Sequence, residues 1–452
     1  MRKLFGTDGI RGVANVEPMT PELAMALGGA IVQEALRREE GGPAVILIGK
    51  DTRRSGDLLE HALAAGVASM GGKAHLLGVM PTPAVAYLTK SLGADLGVMI
   101  SASHNPFADN GIKLFGRDGF KLSDDQEQEI EPLLENGLSK ERPQGEGVGR
   151  IFHRSDLLDQ YKAFIKKTVG GELNLSGLSI VVDCANGAAS AVVPSLLDDL
   201  GATVVALNVE PDGMNINDGC GSLHPEVAAK AVLECGADLG LAFDGDADRV
   251  LAVDELGTVR DGDFLLAIFA RSLLDSGRLK NNVLVSTVMA NLGFDIAMKS
   301  MGVDLVKAKV GDRYVLEEMG RHGALLGGEQ SGHVIFLEHQ TTGDALLCAV
   351  HLLKILVSSG KPLSELSAVM EKRPQVLINV PVAVKGDGDP MAHPGLIEAI
   401  RAAEETLADS GRVLVRSSGT EPLIRVMVEG LDEETVRGQA EAVAEAVRNH
   451  LC

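Results

Sequence analysis

Short runs rich in Val, Ile and Leu recur along this chain, separated by stretches long enough to form helices. "AVILIG" (44–49) is followed by a helical stretch from Ser55 to about Gly71, then "AHLLG", a helix after "PTP", and "LGVMIS". "LSIVVD" (178–183) opens the same plan again, with a helix after Asn186, "ATVVALN", a helix from about Pro225, and "ADLGLAF". "NVLVST" (282–287) begins a third round, with a helix from about Asn291, "VDLVKA", a helix after Asp312, and "GALLGG". Continuous apolar strands alternating with helices predict parallel sheets covered on both faces. Open sheets of this kind present ligands beyond the carboxyl ends of their strands. The last strand of each round leads into a polar loop: "SASHNP", "DGDADR" and "GEQSGH". The three loops therefore occupy equivalent places in a repeated architecture, although sequence identity between rounds is weak.

The pattern changes from about residue 375. "VLINVPVAV" alternates like a strand with one exposed face, and "RVLVRSSGTEPLIRVMVEG" reads as two strands flanking a loop. Asp432 suits the N-cap of a last helix whose Val436, Ala440, Val443, Val447 and Leu451 share one face. Linkers are expected at 136–150, 255–262 and 358–374. The fold class is therefore α/β: three consecutive α/β domains with mainly parallel sheets, plus a smaller C-terminal α+β domain. The boundaries expected are 1–150, 151–255, 256–370 and 371–452. Length alone suggests about three domains; the pattern raises this to four.

Composition narrows the function. The 45% hydrophobic content is ordinary for a globular protein. No segment approaches the ~18 consecutive apolar residues of a membrane span, so no membrane partner is expected. "MRKLFGTDGIRG" has no apolar stretch after its basic residues, and no secretory leader is expected. Cys184, Cys220, Cys235, Cys348 and Cys452 form an odd, scattered set without a CxxC pair. That disfavours a disulfide framework or a zinc site and fits a reducing cytoplasm. The net charge of −21 argues against a nucleic-acid partner. A small anion is still admissible, because screening confines charge effects to about 8 Å at physiological salt.

The loops carry the candidate chemistry. "DGDADR" places Asp244, Asp246 and Asp248 at alternate positions after an apolar strand. Carboxylates so close repel one another, and a hard divalent cation with oxygen ligands, Mg²⁺ or Ca²⁺, would relieve that repulsion. With Glu255 at the twelfth position the stretch also resembles an EF-hand loop. Arg249 stands where that loop needs glycine, however, and the flanks read as strands. Mg²⁺ leaves positions open for phosphate oxygens, and Arg249 then serves as an anion contact within the metal loop. "RSSGTEPLIR" (416–425) gathers two arginines, three hydroxyls and a glycine, a set of donors suited to phosphate, with a hydrophilic hairpin turn as the bland alternative. In "GGEQSGH", Glu329 and Ser331 could grip neighbouring sugar hydroxyls, while His333 could equally be a structural hydrogen-bonding histidine.

"VMISASHNPFADNGIKLF" (98–115) poses the central question, since an apolar strand there delivers serines and a histidine into a loop near Lys113. A Ser-His-Asp triad is disfavoured. His104 adjoins Ser103, which places the two side chains poorly for a nucleophile–base pair, and no G-x-S-x-G elbow surrounds the serine. A phosphate carried by Ser103 could instead ligate the cation of the aspartate loop, which would neutralise charge on a transferring phosphoryl group. Lys113 could stabilise that phosphate or accept a proton. Arg11, on the glycine-rich "FGTDGIRG", is another candidate contact for it.

These four motifs, in this order and spread over the whole chain, closely resemble the α-D-phosphohexomutase superfamily, with the glucosamine-phosphate branch suggested by "FGTDGIRG", "SASHNP" and "EQSGH". The resemblance implies four domains around a deep cleft, each contributing one loop. It implies a phosphoserine at Ser103 and one Mg²⁺ on Asp244, Asp246, Asp248 and the Ser103 phosphate; Lys113, Arg11 and His104 are the further catalytic candidates, with the general base open among Lys113, His104, His333 and other groups. Sugar contacts from Glu329 and Ser331 are also implied, and His333 and Arg249 are further substrate-binding candidates. Arg416, Ser417, Ser418, Gly419, Thr420 and Arg425 would hold the non-reacting phosphate. The implied reaction interconverts glucosamine 6-phosphate and glucosamine 1-phosphate, on the route to UDP-N-acetylglucosamine. Glucosamine 1,6-bisphosphate or glucose 1,6-bisphosphate would be the phosphorylating activator. Many relatives have threonine where this chain has Ser101, which leaves a second hydroxyl near Ser103.

A bisphosphorylated intermediate must turn round without escaping to water, so a closing lid is expected, with the fourth domain as the natural mover. The partner expected is a phosphosugar, and a homodimer is kept open. The other readings are a phosphomannomutase or phosphoglucomutase using the same apparatus, a phosphatase in which water attacks phosphoserine, and a non-catalytic phosphosugar-binding protein.

Overall fold

The strand–helix rhythm produces three mixed α/β sheets and one antiparallel sheet. The computed structural model describes residues 4–6, 8–36, 42–136, 142–170, 173–382, 393–417 and 423–451. Two units are each compact: Met1–Val288 with Asp304–Ala368, and Met289–Val303 with Val369–Cys452.

The first sheet contains β1 (Ile10–Val13), β2 (Val45–Lys50), β3 (Lys73–Val79), β4 (Leu96–Ile100), β5 (Asp109–Gly116) and β6 (Arg150–His153), in the order β1-β5-β4-β2-β3-β6. The second contains β7 (Ser179–Asp183), β8 (Thr203–Leu207), β9 (Leu239–Phe243), β10 (Val250–Asp254) and β11 (Val259–Arg260), in the order β11-β10-β9-β7-β8. The third contains β12 (Val283–Thr287), β13 (Asp304–Ala308), β14 (Leu326–Gly328) and β15 (Val334–Phe336), in the order β13-β12-β14-β15.

The centre of each sheet is parallel, and its strands are joined through helices such as Ser55–Ser69, Pro225–Cys235 and Asp312–His322. The last parallel strand of each then turns back on itself. β4 pairs antiparallel with β5, β9 with β10, and β14 with β15. The loops between them are too short for a crossover, which needs a dozen or more residues, so the returning strand must be antiparallel. Each polar loop is thus the tip of a hairpin at the carboxyl end of its sheet.

β4 and β9 are buried at every position, with Val98, Ile100, Leu241 and Phe243 among the core residues. Full burial on both faces explains why they read as unbroken apolar runs rather than alternating ones. Two stretches read as linkers carry structure. Residues 255–262 contain β11, which pairs with β10 through Ala252 and Arg260, and 358–374 contain the helix Leu363–Ser367, which buries Leu363. Composition hid both because a two-residue strand and a single-turn helix have too few positions to show a period.

The second unit holds β16 (Gln375–Pro381), β17 (Arg412–Ser417) and β18 (Leu423–Glu429), antiparallel in the order β16-β18-β17. The helices Pro394–Leu407 and Glu433–Leu451 pack Leu396, Leu407, Val436, Val443 and Val447 against Val426 and Val428. Asp432 accepts the Thr435 N–H at 2.7 Å and caps the last helix as its position predicts. Among the described residues no helix is long and apolar enough to cross a membrane.

Candidate functional site

In the first unit the three hairpin tips meet. Ser103 is buried, and its Oγ donates to Asp244 Oδ2 at 2.7 Å across 141 positions of sequence. Gly245 makes this approach feasible: a Cβ there would stand 2.6 Å from the Ser103 carbonyl oxygen. The third tip abuts the second, where Val250 N–H donates to the Gly332 carbonyl and His333 Nδ1 lies 3.7 Å from Asp248 Oδ2.

Asp244, Asp246 and Asp248 are all buried, and each offers a carboxylate oxygen within 4.8 Å of the others. Asp244 Oδ1 accepts the Asp248 and Arg249 N–H groups at 3.1 Å each. Asp246 Oδ2 accepts from Thr82 Oγ1 at 2.6 Å and Lys113 Nζ at 2.9 Å. Asp246 Oδ1 and Asp248 Oδ1 are buried without a hydrogen-bond donor among the described residues. Buried carboxylate oxygens are costly unless paired or bound to a metal. Two such atoms in a trio of hard oxygen donors fit a divalent cation.

The charges are unevenly held. Burial, then repulsion from Asp248 and Asp246, pushes Asp244 well above the usual carboxylate range. Burial also opposes ionisation of Asp248, but Lys113, His333 and Arg249 hold it well below that range. Lys113 is 1% exposed, yet Asp246, Asp8 and Asp248 outweigh its burial and keep the ammonium protonated above its ordinary range. It sits 2.9 Å from Asp246, 3.5 Å from Asp8 and 3.6 Å from Asp248.

His104 lies beside Ser103 without pairing with it as a base, because the Ser103 hydroxyl donates to Asp244. Ser103 has a left-handed backbone, φ 51°, and its Oγ lies 3.3 Å from His104 Nδ1. That nitrogen already accepts from Arg249 Nη1 at 2.7 Å. Burial, Arg249 and Arg11 together lower the imidazole to about 4, so it is neutral near pH 7. Arg11, on β1, donates to Asp8 and to the Ala102 carbonyl. Arg11 and Arg249 each retain a buried Nε–H without a hydrogen-bond acceptor among the described residues, a donor set suited to an anion.

On the third tip, Glu329 accepts the Gly311 N–H at 3.1 Å, and exposed Ser331 reaches Glu329 at 3.5 Å. His333 is 1% exposed and accepts the Gly343 N–H at 3.0 Å; a Cβ on residue 343 would come within 2.5 Å of its ring.

In the second unit Arg416 and Arg425 face each other across β17 and β18. Burial and the neighbouring Arg425 lower Arg416 from its ordinary value. Ser417 ends β17 and is exposed. Ser418, Gly419 and Thr420 lie outside the described residues.

Family models for phosphoglucomutase/phosphomannomutase match in four parts: α/β/α domain I over 2–141, domain II over 159–257, domain III over 261–373, and the C-terminal domain over 377–446. The chain belongs to the phosphohexomutase family. It is an isomerase with the four-domain architecture of that family. A phosphoglucosamine mutase of Syntrophotalea carbinolica is 53% identical over 100% of this chain and 98% of its own length. One from Geobacter sp. strain M21 is 53% identical, covering 100% and 99%. A crystal structure of a phosphoglucomutase/phosphomannomutase family protein from Burkholderia thailandensis superposes with a TM-score of 0.81 at 26% identity, covering 100% of this chain and 98% of that one.

Two members of this phosphohexomutase's acidic site escape sequence reading. Thr82 holds Asp246, and Asp8 stands among Arg11, Lys113 and Lys121, which with burial opposing keep it well below the carboxylate range. Asp8 does share its glycine-rich loop with Arg11, a usable signal. Thr82 lies between prolines at the start of a helix and looks like punctuation.

Proposed function

We infer that this chain is a phosphoglucosamine mutase, interconverting D-glucosamine 6-phosphate and α-D-glucosamine 1-phosphate. The observation that carries the reading is the buried Ser103 hydroxyl 2.7 Å from the acidic trio, in a chain 53% identical to relatives of that name.

Ser103 is the proposed phosphoryl carrier. Its phosphoryl group passes to the free hydroxyl of the sugar phosphate: the P–O bond to Ser103 breaks, a P–O bond to the sugar forms, and the hydroxyl proton is released. The bisphosphorylated sugar then returns its other phosphoryl group to Ser103 and takes a proton back, so the enzyme is restored. Asp244, Asp246 and Asp248 would hold the metal, assigned as Mg²⁺ from the oxygen donor set. When bound it neutralises charge on phosphoryl oxygens. Lys113, fixed as a cation by its three carboxylates, and Arg11 supply positive charge beside the reacting group.

Glu329 and Ser331 are proposed to take sugar hydroxyls, with Arg249 as an anion contact. Arg416, Ser417 and Arg425 are proposed to take the distal phosphate, and 1,6-bisphosphosugars to prime the serine.

Turnover of glucosamine 1-phosphate, glucose 1-phosphate and mannose 1-phosphate, each primed with glucose 1,6-bisphosphate and followed by phosphorus NMR, tests the reading. The glucosamine compound should turn over fastest. Equal or faster turnover of glucose 1-phosphate would reassign the substrate, and free phosphate released at the rate of substrate loss would make the protein a phosphatase.

A further inference from the structure

Two donors carried by different sheets converge on the same two carbonyl oxygens of the serine loop. Arg53, three residues beyond β2, donates through Nη2 to the carbonyls of Ser103 at 2.9 Å and Asn105 at 2.7 Å. Asn217, from the domain of the second sheet, donates through Nδ2 to the same pair, at 2.9 and 3.2 Å.

The rest of Arg53 is also committed. Nη1 reaches the carbonyls of Pro106 and Asp109, and Nε donates to Asp51 Oδ2 at 2.9 Å. A guanidinium has five N–H donors, and this 2% exposed arginine directs all of them at one loop and the aspartate beneath it. Asp51 in turn accepts the Ser101 hydroxyl, which accepts the Ser103 N–H. Both backbone polar groups of Ser103 are thereby fixed by side chains.

We propose that Arg53 and Asn217 form a clamp that positions Ser103 for phosphoryl transfer. The inference rests on the reading of Ser103 as the phosphoryl carrier. L side chains adopt positive φ reluctantly, so the 51° of Ser103 must be imposed by its surroundings. The paired donors impose it, and they leave Oγ directed at Asp244. With their lone pairs bound to Arg53 and Asn217, the two carbonyl oxygens offer no free acceptor to repel an anionic phosphoryl group on the adjacent hydroxyl. Because one arm comes from each domain, the aim of the serine depends on their mutual docking, which Thr52 Oγ1 reinforces by donating to the Asn186 carbonyl at 2.5 Å. Arg53 and Asn217 are positioning residues; neither needs to touch substrate.

Asn217→Gly is the cleanest test. Asn217 itself has φ 59°, which glycine adopts without strain while losing only the side-chain arm. Asn217→Asp keeps the shape but turns a carboxylate toward the two carbonyls. Steady-state kinetics with glucosamine 1-phosphate, the rate of Ser103 phosphorylation by glucose 1,6-bisphosphate (intact mass) and thermal midpoints are compared in the full chain. Misaiming a reacting group by about 1 Å costs on the order of 100-fold in rate. The expected result is a fall in kcat and in phosphorylation rate approaching that figure for Asn217→Gly, a larger fall for Asn217→Asp, and an unchanged KM. A lowered thermal midpoint with wild-type kcat would make the clamp a packing feature and overturn the proposal. A raised KM with wild-type kcat would make Asn217 a substrate contact and overturn it as well. If the wild-type protein itself takes no phosphoryl group on Ser103, the reading of the site falls first, and the clamp falls with it as a catalytic device.

Discussion

Ser101 and Ser103 are joined head to tail: the backbone N–H of Ser103 donates to the Ser101 hydroxyl at 2.9 Å, and that hydroxyl donates to Asp51 at 2.6 Å. The second hydroxyl of the loop is thus engaged in both directions and supports the first. Ser103→Ala should abolish mutase turnover and take no phosphoryl group from glucose 1,6-bisphosphate, read by intact mass. Ser101→Ala should still be phosphorylated. It leaves a buried N–H and a buried carboxylate short of a partner, so unfolding should become easier by about 1–3 kcal/mol. The reverse pattern would make Ser101 the carrier.

Thr82 holds Asp246 twice: its hydroxyl donates to Oδ2 at 2.6 Å, beside Lys113 at 2.9 Å, and its backbone N–H to the Asp246 carbonyl at 2.9 Å. Thr82→Val keeps the volume and removes the hydroxyl donor. Losing such an outer partner typically weakens metal binding by about 10–100-fold, and titration calorimetry with Mg²⁺ should show a loss of that order. Unchanged affinity would remove Asp246 from the metal's ligands or the Thr82 hydroxyl from any hold on it.

His351 offers a pH test away from the hairpin tips. Its ring stacks on Phe336 at 4.9 Å, and Nε2 is buried with no hydrogen-bond partner among the described residues. Burial first, then His339, Lys354 and Arg278, lowers it to about 3. The unfolded imidazole binds a proton below about 6.5, whereas the folded ring does so only near 3. Its contribution to stability is therefore complete above pH 6.5 and is lost as the pH falls toward 3, at about 1.4 kcal/mol per pH unit. His351→Phe should keep the stacking and flatten the stability–pH curve by that slope between these limits, as measured by urea unfolding of both proteins across pH. Parallel curves would deny the ring its low proton affinity.

Arg416 and Arg425 are direct cross-strand partners, an arrangement that destabilises a sheet unless an anion lies between the charges. Inorganic phosphate should raise the thermal midpoint of the wild type and have less effect on Arg416→Ala. That variant should also show a higher KM for glucosamine 1-phosphate, by about 10–100-fold, in keeping with about 1.5–3 kcal/mol for a charged hydrogen bond. An unchanged KM would take this hairpin out of substrate binding.

Much of the architecture was legible in local pattern. β4 and β9 declared themselves as apolar runs, and their polar continuations proved to be hairpin tips. Asp432 announced the last helix because a cap and the N–H it binds lie three residues apart. Arg53 and Asn217 gave no such sign. Nothing local in "DTRRSG" marks an arginine whose partners lie up to 56 positions away, and nothing in "NINDG" marks its second asparagine. At His104 the sequence shows only adjacency to Ser103; that its Nδ1 accepts from Arg249 while the Ser103 hydroxyl donates to Asp244 depends on residues 145 and 141 positions away.

Periodicity and residue chemistry by themselves determined the sheets, the three equivalent loops and the oxygen-rich trio, because hydrophobic spacing and ligand type are properties of short segments. Only the tertiary structure decided that Ser103 meets Asp244, that Lys113 is locked among carboxylates, that the Ser101 hydroxyl accepts the Ser103 N–H, and that His333 accepts the Gly343 N–H. Those outcomes depend on how sheets dock and how closely one backbone can pass another at Gly245, and no short segment carries that distance.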